Sequence, residues 1–149
     1  MAKEDSVIQL RKLSQQYAYA SLQMHEAIAR EAGFSATDHK YLGFFLQRGA
    51  LTAGELAELT GLTTGAVTGL IDRFEQKKLV KRQPDKDDRR KVIIVPDVKK
   101  ITALIQPFYQ AFQQATDELI AGFTTKEIKV LEAYFTKAIA LMNETKDKI

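Results

Sequence analysis

LTAGELAELTGLTTGAVTGLIDRFEQKKLV, residues 51–80, reads as two short helices around a glycine. Thr52 stands three residues before Glu55, the spacing of a reciprocal capping box, and so starts the first helix. Leu56, Ala57 and Leu59 give that helix an inward face until Gly61 breaks it. Thr63 or Thr64 opens the second, whose Val67, Leu70, Ile71 and Phe74 fall on one face at helical spacing. Its opposite face shows Thr64, Gly65, Thr68, Gly69, Asp72 and Arg73, every one small or polar. Ala57 is small where two helices cross closely, and Gly61 follows four residues later in the turn. This ordered set predicts a helix-turn-helix.

The next stretch, KRQPDKDDRRKVIIV at 81–95, extends the motif. Leu79–Arg82 and Val92–Val95 are strand candidates on either side of a segment rich in Pro, Asp, Lys and Arg. They predict a two-stranded ribbon with a charged tip, the wing of a winged helix-turn-helix. Between Lys77 and Lys91 stand eight basic and three acidic residues, net +5. The whole chain carries only +3, so the remainder is about −2. A positive excess gathered into one tenth of the sequence is the electrostatic footprint of a polyanion partner.

Outward from this centre the pattern is helical. Residues 5–31 carry Leu10, Leu13, Tyr17, Ala20, Met24 and Ala27 in a 3.5-residue seam that Gly33 ends. Ser35 or Thr37 caps a following helix, with Asp38 complementing its positive end; Tyr41, Leu42, Phe44, Phe45 and Leu46 make it mostly buried, up to Gly49. Asp97 precedes a helix over roughly 98–122 with a second seam, and Pro107 within it should kink or split it. Thr124 and Glu127 repeat the capping box before a last helix that turns Ile128, Leu131, Phe135, Ala138 and Met142 inward. Three seams are more apolar helical surface than one small winged helix covers, which predicts a homodimer. The fold class expected is therefore mainly α with a small two-stranded β wing. Residues 34–97 form the DNA-binding region, and 1–33 and 98–149 a helical dimerisation region, within one domain of 149 residues.

Composition excludes several function classes. There is no cysteine, so disulfides, thiolate zinc sites and thiol redox sensing fall away together. The apolar runs are too short for a membrane span, and the first residues lack the apolar core of a secretory signal, so a cytoplasmic location is expected. No nucleophile–base pair, phosphate-cradling loop or metal-ligand cluster stands out, which argues against an enzyme and against a cofactor. His25 and His39 are fourteen residues apart without an evident ligand set, so no metal site is expected.

The partner expected is double-stranded DNA. The second helix should enter the major groove, where Gly65 and Gly69 let the backbone approach and Thr63, Thr64 and Thr68 reach phosphates or base edges. Arg73 is the long cation of that face, and Asp72 orients it or a neighbouring basic residue. Arg89 and Arg90 at the wing tip suit a minor groove, with Arg82 and Lys91 as further contacts, while Asp85 and Asp88 fold the turn. A second candidate, a winged helix that offers its basic wing to an acidic protein, fits the small threonine-rich face less well.

The run from Leu51 to Arg82, followed by PDKDDRRKVIIV, resembles the MarR family of bacterial transcriptional regulators. The likeness is closest in G-A-V-T-G-L-I-D-R and in the D-x-x-D-R-R wing, here Asp85, Asp88, Arg89 and Arg90. It implies a repressor-type homodimer on a near-palindromic operator, with DNA affinity lowered by a small aromatic or lipophilic effector. Tyr17, Met24, His25, Tyr41, Phe44 and Phe45 are the candidate pocket for that effector, although the same side chains also suit core packing. Pro96 and Asp97 follow Val95 where the family usually has a threonine, which bears on the hinge into the long helix and not on the wing.

Overall fold

The computed structural model describes residues 2–149. Every helix after the first begins where a short polar side chain satisfies an unpaired N–H group of its first turn. Helix α1 spans Lys3–Glu31 and ends through Ala32 and Gly33, whose φ of 85° suits a residue without a Cβ. Ser35 caps α2, Ala36–Arg48, accepting from the Asp38 N–H at 3.1 Å. Thr52 and Glu55 form the full capping box of α3, Ala53–Thr60, which stops at Gly61 in the left-handed region. Thr63 caps α4, Thr64–Gln76, by accepting from the Ala66 N–H at 3.2 Å.

Strands β2, Val80–Pro84, and β3, Val92–Pro96, make the antiparallel ribbon, with Arg82 opposite Ile94. The sheet has one strand more than the sequence predicts. Leu51–Thr52 forms β1 and pairs with the far edge of β3, giving the order β1-β3-β2. Two residues leave no periodicity to read, and their pairing is set by the tertiary fold. Ile94 takes the centre of that sheet and is buried.

The chain divides into two compact units, the second being Tyr109–Ile149. The first holds the core: Leu42, Phe45, Leu56, Val67, Leu70, Ile71, Phe74, Leu79, Ile94 and Ile101 lose essentially all contact with solvent. These residues come from α2, α3, α4, the sheet and the start of α5, Val98–Ala121, so α4 is clamped along one whole face. Asp97 caps α5 by accepting from the Lys100 N–H at 3.0 Å. Of the kink or split expected at Pro107, the split does not occur, since α5 runs through it; a proline deletes only one donor of the turn.

The second unit contains α6, Thr125–Asp147, opened by the Thr124–Glu127 capping box. Here the sequence expectation needs correction. Phe135 and Met142 are exposed rather than inward, Ile128, Leu131 and Ala138 are only half-buried, and α6 buries no residue fully. The seam exists, but a single chain offers too little apolar surface to cover it. No helix among the described residues is long and apolar enough to cross a membrane.

Candidate nucleic-acid interface

Clamping one face of α4 leaves the other free. Val67, Leu70, Ile71 and Phe74 are buried, whereas Thr64, Gly65, Thr68, Asp72 and Arg73 are exposed and Gly69 is half-buried. Neither Gly65 nor Gly69 fills a tight space: an added Cβ meets nothing within 4 Å at the first and only Arg73 Nη1, at 3.8 Å, at the second. Their smallness serves no internal packing, so it leaves a flat strip on the open side of the helix. Two hydroxyls are tied locally. Thr63 acts as the cap, and Thr68 donates to the Thr64 carbonyl at 3.0 Å, keeping its lone pairs for an incoming donor.

The wing tip is folded by its own carboxylates. Asp85 Oδ1 accepts from the Asp87 N–H and Asp88 Oδ1 from the Arg90 N–H, both at 3.1 Å. Backbone bonds from Asp85 N–H to the Lys91 carbonyl and from Lys91 N–H to the Asp88 carbonyl close the turn. Arg89, Arg90 and Lys91 are left exposed, and the Arg90 side chain is 98% accessible, with Asp88 3.9 Å from its Nε. The acidic residues shape the turn, and the cations face outward.

The adjacent residues Asp72 and Arg73 reach in different directions. Arg73 makes a two-point contact with Asp38 of α2, Nε to Oδ2 at 3.3 Å and Nη2 to Oδ1 at 3.0 Å, which raises its affinity for its proton further. Asp72 instead accepts from Arg82 Nη2 of β2 at 2.7 Å. Glu75, one turn on, receives both the Arg82 Nη1 donor at 2.8 Å and the Arg82 backbone N–H at 3.0 Å. The backbone donor, followed by the guanidinium, holds the Glu75 carboxyl below its ordinary range. Of the two partners the sequence allows Asp72, the structure selects Arg82. Arg82, expected on DNA, has its guanidinium between two carboxylates.

This architecture has known counterparts. The sequence profile of the MarR family matches residues 32–91. The uncharacterized HTH-type transcriptional regulator YcgE of Bacillus subtilis is 35% identical over 128 residues, covering 84% of this chain and 80% of YcgE. This chain belongs to the MarR family.

Among solved structures, a MarR family protein from Bacillus stearothermophilus superposes with a TM-score of 0.72 at 28% identity, over 96% of this chain and 99% of that one. A mutant MarR from E. coli, complexed with operator DNA, has the same fold, with a TM-score of 0.55 at 22% identity over 93% and 99% of the two chains. Membership makes this protein a DNA-binding transcriptional regulator with a winged-helix fold.

In this MarR-family chain the candidate effector residues have differing surroundings. Phe45 lies in the core edge-on to Phe74, and Tyr41 is buried beside it, stacked on half-buried Phe44. Tyr17 stands 65% exposed on α1. A cleft of about 540 Å³ does open between α2 and α4, lined by Asp38, Tyr41, Leu62, Ala66, Gly69 and Arg73. One juxtaposition was missed in the sequence: the rings of His25 and His39 lie 6.3 Å apart between α1 and α2. The two residues are seven positions either side of Ala32, where the helical hairpin reverses, so hairpin register would have found them. Burial and then the neighbouring His25 push the His39 pKa below its usual 6.5. No group of three or more metal-ligating side chains occurs among the described residues.

Proposed function

We propose that this regulator binds an inverted-repeat operator as a homodimer and acts chiefly as a repressor, with no catalytic activity of its own. Residues 34–97 are the DNA-binding region, and 1–33 and 98–149 pair the two chains. One observation carries the dimer: long apolar side chains remain open on every outer helix. Leu10, Leu13 and Tyr17 on α1, Phe112 and Leu119 on α5, and Phe135 and Met142 on α6 are each at least 47% exposed. Exposed apolar side chains in this number mark an interface.

A twofold dimer presents two copies of α4 to one face of DNA, with half-site centres about 10 base pairs apart. Thr63, Thr64, Gly65, Thr68, Gly69 and Arg73 read the major groove, and Arg89, Arg90 and Lys91 the flanking minor groove or its phosphates. Binding to chromosomal DNA implies the cytoplasm. The effector class that fits is a small aromatic or lipophilic anion. Its support is the apolar surface of Tyr41 and Leu62 in the shallow cleft between α2 and α4, whose Arg73 is already paired with Asp38.

Two measurements test this. Sedimentation should give a dimer at micromolar concentration, and a monomer refutes the pairing. Footprinting on the DNA upstream of the gene should protect an imperfect inverted repeat of about 15–25 base pairs; protection without dyad symmetry refutes the binding mode.

A further inference from the structure

We infer that Arg82 is a positioning residue and not a DNA contact: with Asp72 and Glu75 it locks the wing to the recognition helix, so that the two DNA-reading elements meet their target as one rigid piece. This rests on the DNA-binding reading of α4 and the wing.

Geometry makes the lock effective. Glu75 grips Arg82 twice, at the backbone N–H and at Nη1, and Asp72 takes Nη2. Backbone and side chain are thus both fixed to α4, which is itself held on the far side by Arg73 and Asp38. Beyond Arg82 the ribbon runs about five residues to its tip, roughly 17 Å at 3.4 Å per residue. A swing of about 10° at the base therefore moves Arg89 and Arg90 by about 3 Å. That displacement exceeds the few tenths of an ångström a hydrogen bond tolerates. A β-ribbon on its own is too pliable to hold such an aim.

Charge points the same way. One guanidinium between two carboxylates makes the cluster net negative, so it adds nothing to attraction for a polyanion. A phosphate approaching the remaining Arg82 donors would meet the Asp72 carboxylate, which is 62% exposed. Arginine suits this place because its planar fork serves two carboxylates at once, which a lysine ammonium does worse.

The two roles make opposite predictions for Asp72→Asn. If Arg82 contacts DNA, removing a carboxylate beside it tightens binding. If Arg82 positions the wing, the same change weakens operator binding, by about tenfold (1.4 kcal/mol), although a negative charge has gone. Arg82→Gln should weaken binding similarly while leaving the salt slope as in the wild type, whereas a lost phosphate contact lowers that slope by about one unit. The double variant should be no worse than either single one. Amide exchange of residues 81–95 without DNA tests the lock independently of any operator; Asp72→Asn and Glu75→Gln should both speed it. Unchanged exchange, or operator affinity unchanged or raised in Asp72→Asn, overturns the inference. Should Arg82→Gln fail to fold, exposed Asp72 carries the test alone. A wild type that binds no DNA at all refutes the functional reading instead, and the exchange measurement still decides the lock.

Discussion

Asp38 of α2 and Arg73 of α4, thirty-five residues apart, face each other through two hydrogen bonds of 3.0 and 3.3 Å. The Asp38 side chain is only 14% exposed and the Arg73 side chain 55%, so the cation stands on the open side of α4 while its partner stays sheltered. Asp38→Asn should release Arg73 for phosphates. We expect non-specific DNA affinity at low salt to rise, with a salt slope steeper by up to about one unit. Stability should fall by about 0.5–1 kcal/mol, the range of a partly exposed pair. Anisotropy titrations across salt and urea melts check both, and an unchanged slope would show that Arg73 is not available to DNA.

The histidine pair makes stability depend on pH. His39 binds its proton less readily in the folded chain than at the ordinary 6.5, through burial first and His25 second. The unfolded chain therefore takes up protons earlier as pH falls. The stabilisation is fully present above pH 6.5 and is lost as pH drops through the folded value. Urea midpoints measured between about pH 7.5 and pH 5.5 should fall more for the wild type than for His39→Gln. His25→Gln should remove a smaller part of the difference, because burial is the larger cause.

Much of this fold was legible because the signals are local. Thr52–Glu55 and Thr124–Glu127 are capping boxes whose partners lie within one turn, and both form as spaced. The buried face of α4 followed from periodicity alone. What was hidden depends on distant pairing. The β1 strand exists only because β3 lies beside it, and Arg73 finds Asp38 across thirty-five residues. Arg82 shows the same limit: in a basic segment a sequence shows its charge but not the two carboxylates that one turn of α4 brings to it.

Lys78 offers a cleaner test of backbone strain. It is the non-glycine residue held at positive φ, 60°, among those described. It occupies the turn after α4, where Lys78 N–H bonds to the Glu75 carbonyl and Leu79 N–H to the Phe74 carbonyl, both at 2.9 Å. That pattern is the helix-ending motif in which glycine is favoured. Left-handed geometry costs a side chain about 1–2 kcal/mol, partly offset by the extra freedom glycine has when unfolded. Lys78→Gly should raise stability by about 0.5–1 kcal/mol, and Lys78→Ala should not, since it keeps the Cβ. Paired denaturant melts separate the two. Equal effects would mean that the charge and not the backbone is responsible.

Neighbouring residues on α4 should respond in opposite ways. Leu70 is fully buried, so Leu70→Ala removes packed atoms and leaves a cavity, lowering stability by about 2–4 kcal/mol. Gly69 has ordinary helical backbone, and a Cβ there meets only Arg73 Nη1 at 3.8 Å, an ordinary contact. Gly69→Ala should therefore stabilise the helix by about 0.5–1 kcal/mol, the usual difference between the two residues inside a helix. The same methyl stands on the strip that the DNA backbone or bases must approach, so operator affinity should fall even as the protein becomes harder to unfold. Gly69→Phe should abolish specific binding and leave the chain folded. A loss of binding that accompanies a gain in stability cannot come from misfolding, which makes Gly69→Ala the sharper variant. Melting curves and operator titrations on the same preparation decide it, and a Gly69→Ala protein that binds as tightly as the wild type would take this face of α4 off the DNA.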